Sequence, residues 1–268
     1  MIEHLRPGTT AERARVVLFD FDGTLSVIRS GWVDVMIPMM VEHLLNLKTG
    51  ESEADLTAIV REFVSRLTGK QTMYQMIELT DQITKRGGTP KEPLFYKHQY
   101  LDLLWEQIKD RVEDLKTGNC SPEKYLVPGS IELLETLKER GLTMYLASGT
   151  DEVYMKEEAR LLGVTKYFGD RVYGALDDYK AFSKAMLVDR IVNSAEAKGE
   201  EFLAFGDGYV EIEVVKKAGG VAVGVASDEP HCAVVDEWKR SRLIEVGADW
   251  IVPSYADMSE LKTALFPK

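Results

Sequence analysis

Two aspartates in the segment FDFDGTLS, residues 19–26, have the type and spacing to do chemistry on phosphorus. Asp20 and Asp22 follow the apolar run Val16 to Phe19, which predicts a strand buried on both faces of a parallel sheet. Carboxylates held close together split their proton affinities, so one can stay an ionised nucleophile while the other carries a proton. A carboxylate that attacks phosphorus forms a mixed anhydride, which water then cleaves. The alternative is a turn whose aspartates only cap a helix.

A second polar segment, LASGT at residues 146–150, also follows a predicted strand and precedes a predicted helix. Ser148 offers a hydroxyl there, and the turn through Gly149 offers backbone N–H groups at a helix N-terminus, where the helix dipole favours anions. By itself the segment also fits an ordinary helix cap. It predicts a phosphate site in combination with the other signals.

Two further acidic residues lie in LAFGDGYVEIE, residues 203–213, again after an apolar stretch. Asp207 follows that stretch, and Glu211 falls on the first turn of the next predicted helix. Mg²⁺ takes oxygen ligands, a few from carboxylates and the rest from water and phosphate, so Asp20 together with Asp207 fits such a site. A solvated acidic loop is the alternative interpretation.

A cation is expected near these carboxylates to balance them and an incoming phosphate. The segment YKAFSK places Lys180 and Lys184 where a loop meets a helix. We favour Lys184, because the apolar pattern AMLVDRIV that follows it predicts a helix packed on the sheet. Lys180 remains the alternative, or a second contact to phosphate.

The elements around these residues fall into two groups. Residues 27–125 read as helices, because apolar residues recur at a spacing of three and four. After Val127 helices and strands alternate, which predicts an α/β fold with a parallel sheet. The predicted strands are Thr143–Ala147, Val172–Tyr173, Phe202–Phe205, Val221–Val225 and Trp250–Val252, and the predicted helices are Ile131–Arg140, Glu152–Leu162, Ser183–Ala195 and Glu211–Ala218.

Ligands of open parallel sheets bind beyond the carboxyl ends of the strands. Asp20, Ser148 and Asp207 each follow a predicted strand, so they are expected at one site, with the helical insert lying over it as a lid. We therefore predict a core domain of residues 1–26 and 127–268 and a helical cap domain of residues 27–126.

The net charge limits the partners. The chain of 268 residues carries a formal net charge of −11 with a pI near 5.0, which disfavours nucleic acid and anionic membranes. An anionic substrate then needs a metal cation at the site. Two cysteines are too few for a disulfide framework. No signal peptide, membrane span or obligate protein partner is indicated, and we expect a cytoplasmic protein.

These four signals, in this order, resemble the haloacid dehalogenase superfamily over the whole chain. The resemblance is to the phosphatase branch with a helical first-type cap, similar to phosphoglycolate and phosphoserine phosphatases, and it implies a Rossmann-like core. It implies that Asp20 is the nucleophile, that Asp22 is the general acid and base, and that Lys184 stabilises the nucleophile and phosphate. It implies phosphate-binding roles for Thr24, Ser148, Gly149 and Lys180.

The resemblance also implies a magnesium cofactor. Its ligands would be the carboxylates of Asp20 and Asp207 and the backbone carbonyl of Asp22. Glu211 departs from the family pattern, in which Asp is more usual at that position. Its longer side chain would contact the metal directly, reach it through water or orient Asp207.

The cap would choose the substrate, which we expect to be a small phosphorylated metabolite. The polar breaks between its predicted helices supply the candidate contacts, although structural linkers fit them too. The candidates are Arg29, Trp32, Lys70, Gln71, Thr72 and Arg86. Two alternatives remain: a phosphotransferase such as a sugar phosphate mutase, and a non-catalytic binding module.

Overall fold

In the part of the chain that the structure describes, seven strands form a single sheet in the order β1-β7-β6-β5-β2-β3-β4. The computed structural model describes residues 2–176, 178–194 and 196–267. All neighbouring strands pair in parallel except β1, which runs antiparallel to β7 at one edge. The strands are β1 (Glu3–His4), β2 (Val16–Phe19), β3 (Thr143–Asp151), β4 (Val172–Ala175), β5 (Phe202–Gly206), β6 (Val221–Val225) and β7 (Trp250–Val252).

Helices cover both faces of the sheet and form the cap above one end of it. Four helices make up the cap: α1 (Trp32–Leu45), α2 (Glu53–Leu67), α3 (Thr72–Lys85) and α4 (Pro93–Thr117). The core helices are α5 (Ser130–Glu139), α6 (Glu152–Leu161), α7 (Thr165–Phe168), α8 (Lys184–Asn193), α9 (Tyr209–Ala218), α10 (Glu237–Glu245) and α11 (Met258–Leu265). The predicted α/β class with a Rossmann-like core and an inserted helical cap is confirmed, while the domain boundaries stay a prediction.

Strand β2 shows why the sheet is buried on both faces. All four of its residues are buried, and they alternate between two apolar clusters because successive side chains point to opposite faces. Val17 and Phe19 pack in a cluster that continues into the cap, whereas Val16 and Leu18 pack against the side covered by α8 and α9. The cap and the core therefore share one continuous apolar cluster.

The strand register sets the position of the site. Phe19 is aligned with Leu146 of β3 and with Phe205 of β5, so these three strands end at the same edge. Asp20 follows β2, and Asp207 follows β5. The carboxyl ends of neighbouring parallel strands thus bring the chemical groups together, as expected for an open α/β sheet.

Some predicted boundaries differ from the structure. Strand β3 continues through the polar residues up to Asp151, and β1 was not predicted. Helix α8 ends at Asn193, and Ala195, the predicted end of that helix, lies outside the described residues. Among the described helices, none is long and apolar enough to cross a membrane.

Candidate active site

Asp20 lies at the centre of a buried ionic cluster. Its Oδ1 is 2.8 Å from Nζ of Lys184, and the same Nζ is 2.7 Å from Oε2 of Glu211. Glu211 also accepts a hydrogen bond from the N–H of Gly208, 3.1 Å away, at the first turn of α9. The three charged side chains are almost fully buried. Lys184 therefore bridges the strand end and α9.

Burial changes the proton affinities of this cluster. It raises the pKa of Asp20 to about 7 and that of Glu211 to about 8, although Lys184 pulls both pKa values downward. Burial by itself would lower the pKa of Lys184, but the two carboxyl groups raise it above its usual value, so this side chain remains a cation. Such raised carboxyl pKa values are expected where several acids share a dry space.

Asp22 is held by hydroxyl groups at the C-terminal end of β3. Its Oδ2 accepts hydrogen bonds from Thr150 Oγ1 at 2.8 Å and from Ser148 Oγ at 3.3 Å. Its Oδ1 is buried without a hydrogen-bond donor among the described residues, 3.9 Å from Nε of Arg29. Burial raises the pKa of Asp22 to about 6, against the opposing charge of Arg29. Asp22 can therefore hold or release a proton near neutral pH.

Arg29 belongs to the cap linker but is bound to the core. Its Nε and Nη2 donate to the two carboxylate oxygens of Glu158 on α6, at 3.0 and 2.7 Å. Both side chains are buried. This bidentate geometry fixes the guanidinium plane beside Asp22.

The donor set at the strand ends fits a hard cation. Oxygen atoms of Asp20, Asp207 and Glu211 lie within 4.8 Å of one another, and carboxylate oxygens are the ligands that Mg²⁺ prefers.

The N–H of Asp207 donates to Thr24 Oγ1 at 3.0 Å. Gly23 has φ +72°, and a Cβ there would stand 2.2 Å from Asp207 Oδ2, so glycine is required for this close approach.

A second lysine reaches Asp207 from the first turn of α10. Nζ of Lys239 is 3.1 Å from Asp207 Oδ2 and 2.5 Å from Glu229 Oε1. Burial raises the pKa of Glu229, and Lys239 opposes that rise. This pair was not predicted from the sequence, because neither residue lies in a recognisable motif. Thr150 was also missed, although it stands within LASGT.

The cap loop between α2 and α3 closes the site from above. A Cβ on Gly149 would stand 2.6 Å from the carbonyl oxygen of Lys70, and one on Gly208 would stand 2.8 Å from Cα of Gly69. The cap loop therefore rests on the end of β3 and on the residue that precedes α9. Together they enclose a catalytic cavity of about 90 Å³, whose lining includes Asp20, Asp22, Ser148, Gly149, Asp207, Arg29, Trp32, Lys70 and Thr72.

Three of the remaining candidates lie elsewhere. Gln71 is buried and donates to the carbonyl oxygens of Tyr179 and Phe182. Arg86 pairs with Glu51 inside the cap, with its Nε 2.7 Å from Oε2. Lys180 is exposed, with its Nζ 5.7 Å from the centre of the Tyr179 ring, and it does not line the catalytic cavity.

The sequence of the protein matches a known family over residues 14–219, well over half of the chain. That family is the haloacid dehalogenase-like hydrolases. The chain belongs to this family. Its fold and enzyme class are thus as the resemblance implied.

The chain is similar to one sequence relative and to several solved structures. The chain is 26% identical over 211 residues to a 5'-nucleotidase from Pseudomonas aeruginosa, covering 78% of this chain and 81% of that protein. The structure resembles a "predicted phosphoglycolate phosphatase" from Haemophilus somnus, with a TM-score of 0.59, 15% identity and coverage of 93% and 98% of the two chains. It also resembles a "putative beta-phosphoglucomutase" from Thermotoga maritima, with a TM-score of 0.52, 19% identity and coverage of 92% and 99%. At such identities the structural likeness supports the fold.

Proposed function

We propose that this hydrolase cleaves a small phosphomonoester with Mg²⁺, through a phosphoaspartate formed on Asp20. One observation carries this proposal: a buried carboxylate at a strand end, paired with Lys184 and lying beside two further acids, Asp22 and Asp207. The relative named as a 5'-nucleotidase supports phosphomonoesters as the substrate class. The cap would be formed by residues 27–126 and the core by residues 1–26 and 127–268.

In the first step an oxygen of Asp20 forms a bond to phosphorus while the bond from phosphorus to the leaving oxygen breaks. Asp22 gives its proton to that leaving oxygen. Its pKa of about 6, raised by burial, leaves Asp22 protonated in roughly a tenth of the molecules at pH 7. Ser148 and the N–H of Gly149, which line the cavity, would bind the phosphoryl oxygens, and Lys184 would hold Asp20 in position.

In the second step Asp22 takes a proton from water, and the water oxygen bonds to phosphorus. The bond between phosphorus and the Asp20 oxygen breaks, which restores the carboxylate and yields phosphate. The closed cap loop excludes other water from the cavity. The proposed contact of Lys180 with phosphate would require this exposed side chain to move, because it does not line the catalytic cavity.

The charge balance supports the magnesium requirement. Acidic side chains outnumber basic ones around the cavity: Asp20, Asp22, Asp151, Glu158, Asp207, Glu211 and Glu229 stand against Arg29, Lys70, Lys97, Lys184 and Lys239. A phosphate dianion would meet net repulsion there. Asp20, Asp207 and the carbonyl of Asp22 would hold the ion, with Glu211 as a direct or water-mediated partner. Bound there, Mg²⁺ supplies positive charge opposite the phosphoryl oxygens.

The test is phosphate release from a panel of small phosphomonoesters, each with Mg²⁺ and with EDTA. We expect Asp20→Asn to abolish turnover, and the exposed Asp189→Asn on α8 to leave it unchanged. Turnover that survives Asp20→Asn would remove Asp20 as nucleophile. Turnover that survives EDTA would remove the metal requirement. Transfer of the phosphoryl group to a second sugar hydroxyl, without phosphate release, would instead establish the phosphotransferase alternative.

A further inference from the structure

The catalytic cavity is too small to hold a whole substrate of ordinary size. Its volume is about 90 Å³, whereas pockets for small molecules usually measure about 300 to 1,000 Å³. A phosphoryl group and a few atoms of the alcohol fill such a space. With the cap closed, the rest of the alcohol must therefore lie in an adjoining space.

A second cavity adjoins the first at the cap–core boundary. Its volume is about 360 Å³, and it shares Trp32, Thr68 and Asp207 with the catalytic cavity. Helices α1 and α2 of the cap line one side, and the segment from Ser227 to Lys239 of the core lines the other. We call it the tryptophan cavity, because both Trp32 and Trp238 line it.

Trp238 is braced as a stacking surface. Its indole is half-exposed, and the guanidinium of Arg242 stands 4.5 Å from the ring centroid. A cation at this distance over an indole fixes the ring and covers part of it. The exposed part of the ring is available to a flat ligand, and aromatic rings stack on such surfaces.

The polar residues of the tryptophan cavity suit the edges of a heterocycle. Ser65 brings a hydroxyl group, Asp34, Glu229 and Asp236 bring carboxylates, and Arg61 and Lys239 bring cations. Polar groups beside aromatic and apolar walls give orientation and specificity by hydrogen bonding. A simple sugar would leave a large part of a 360 Å³ cavity unfilled.

Another cavity of similar size is a poorer candidate. It measures about 370 Å³ between α4 and α6 and shares Arg29 and Leu101 with the catalytic cavity. Arg29, which lies at the junction of these two cavities, is held beside Asp22 by its buried bidentate pair with Glu158. A leaving group in this cavity would therefore have to pass that ion pair. The tryptophan cavity instead meets the catalytic cavity at Asp207 itself.

We infer that the tryptophan cavity binds the leaving group of the substrate, and that this group carries a planar heterocycle, as in a nucleoside 5'-monophosphate. The inference rests on the proposed phosphatase reaction, because it names the substrate class of that same site. Trp238 is then a specificity-determining residue that contacts the heterocycle, and Trp32 lies where the two cavities join.

The test compares kcat/KM for adenosine 5'-monophosphate and uridine 5'-monophosphate with kcat/KM for ribose 5-phosphate, which lacks the heterocycle. We expect the wild type to prefer both nucleotides, and Trp238→Ala to reduce that preference about 10-fold, since stacking on an aromatic side chain contributes about 1–3 kcal/mol per base. Trp238→Phe should restore most of it. Trp105→Ala, a half-exposed tryptophan on α4 outside this cavity, serves as the matched control and should keep the wild-type preference.

The possible outcomes separate the inference about the heterocycle from the proposed phosphatase reaction. A wild type that hydrolyses ribose 5-phosphate as well as the nucleotides, or a preference that Trp238→Ala leaves intact, would overturn the inference while leaving the phosphatase reaction standing. If the wild type released no phosphate from any substrate, the proposed reaction would fail. In that case the quenching of tryptophan fluorescence by the two nucleotides tests the cavity directly, and binding no tighter than that of ribose 5-phosphate would overturn the inference.

Discussion

The buried acids beside Lys184 couple metal binding to pH. In the metal-free protein Asp20 and Glu211 hold protons up to pKa values of about 7 and about 8, well above their ordinary 3.8 and 4.5. The unfolded chain loses those protons at lower pH. The folded state therefore binds more protons in between, and the free energy of unfolding falls as the pH rises through this range.

A metal cation binds these carboxylates in their deprotonated form. Its binding should therefore offset the fall in the free energy of unfolding at higher pH. We expect Mg²⁺ to raise the Tm more at about pH 8 than at about pH 5.5, because at the lower pH protons compete for the same oxygens. Thermal unfolding with and without EDTA at both pH values measures this difference. Glu211→Gln should shrink it, since one of the titrating groups is gone. Equal increases in Tm at the two pH values would contradict the assignment of these acids to the metal site.

The sequence predicted those residues that lie in strand-end motifs. Asp20, Ser148 and Asp207 were expected at one site, because parallel strands end at the same edge, and the structure places them there. It brings Lys184, not Lys180, into contact with Asp20. Lys239 could not be predicted, since its contact with Asp207 depends on where α10 packs relative to the end of β5.

At the scale of elements, one loop of the cap positions a loop of the core. Gln71, at the start of α3, is buried, and its Nε2 is 3.2 Å from the carbonyl oxygen of Tyr179 and 2.5 Å from that of Phe182. The segment that contains these carbonyls leads directly into Lys184, at the start of α8. Closure of the cap and the placement of Lys184 are thereby linked.

Removing this link should affect catalysis more than folding. We expect Gln71→Ala to lower kcat/KM about 10-fold, because it takes away two hydrogen bonds from buried carbonyls. Amide exchange in residues 178–183 should become faster. Gln82→Ala is the matched control on the same helix, since its side chain bonds only within the cap, to Glu78 and Arg86. Wild-type kinetics and exchange in the Gln71 variant would show that the two loops act independently.

Element types followed from periodicity more reliably than element ends did. The strands Val221–Val225 and Trp250–Val252 were predicted with their actual bounds, because each is a short apolar run. Strand β3 was predicted to end at Ala147, yet it pairs with β4 again at Asp151 after an irregular register. Pairing to a neighbour, which no local pattern encodes, extends that strand through polar residues. Tertiary contacts thus set the ends.

At the scale of the whole molecule, two ion pairs with little solvent exposure join the cap to the core. Arg29 pairs with Glu158, and Lys97 of α4 lies 2.6 Å from Oδ1 of Asp151 at the end of β3. Lys97 is only 2% exposed, although lysine is rarely buried so deeply. The apolar cluster that continues from core to cap is not directional, so it would hold the two parts together in more than one relative position. The charged pairs fix one closed position, because each charge is left uncompensated in any other.

The contribution of the pair between Lys97 and Asp151 to the closed position of the cap can be measured. Breaking a buried ion pair from one side leaves the other charge unpaired, so we expect Lys97→Met to lower the free energy of unfolding by about 3 kcal/mol. Adding Asp151→Asn should restore part of that loss, since the orphaned carboxylate disappears, and the double-mutant cycle then gives a clear coupling. Lys217→Met is the matched control: its pair with Glu213 is exposed on α9 and should matter little. Urea unfolding followed by circular dichroism supplies the four free energies, and strictly additive losses for Lys97 and Asp151 would mean that the pair does not hold the cap closed.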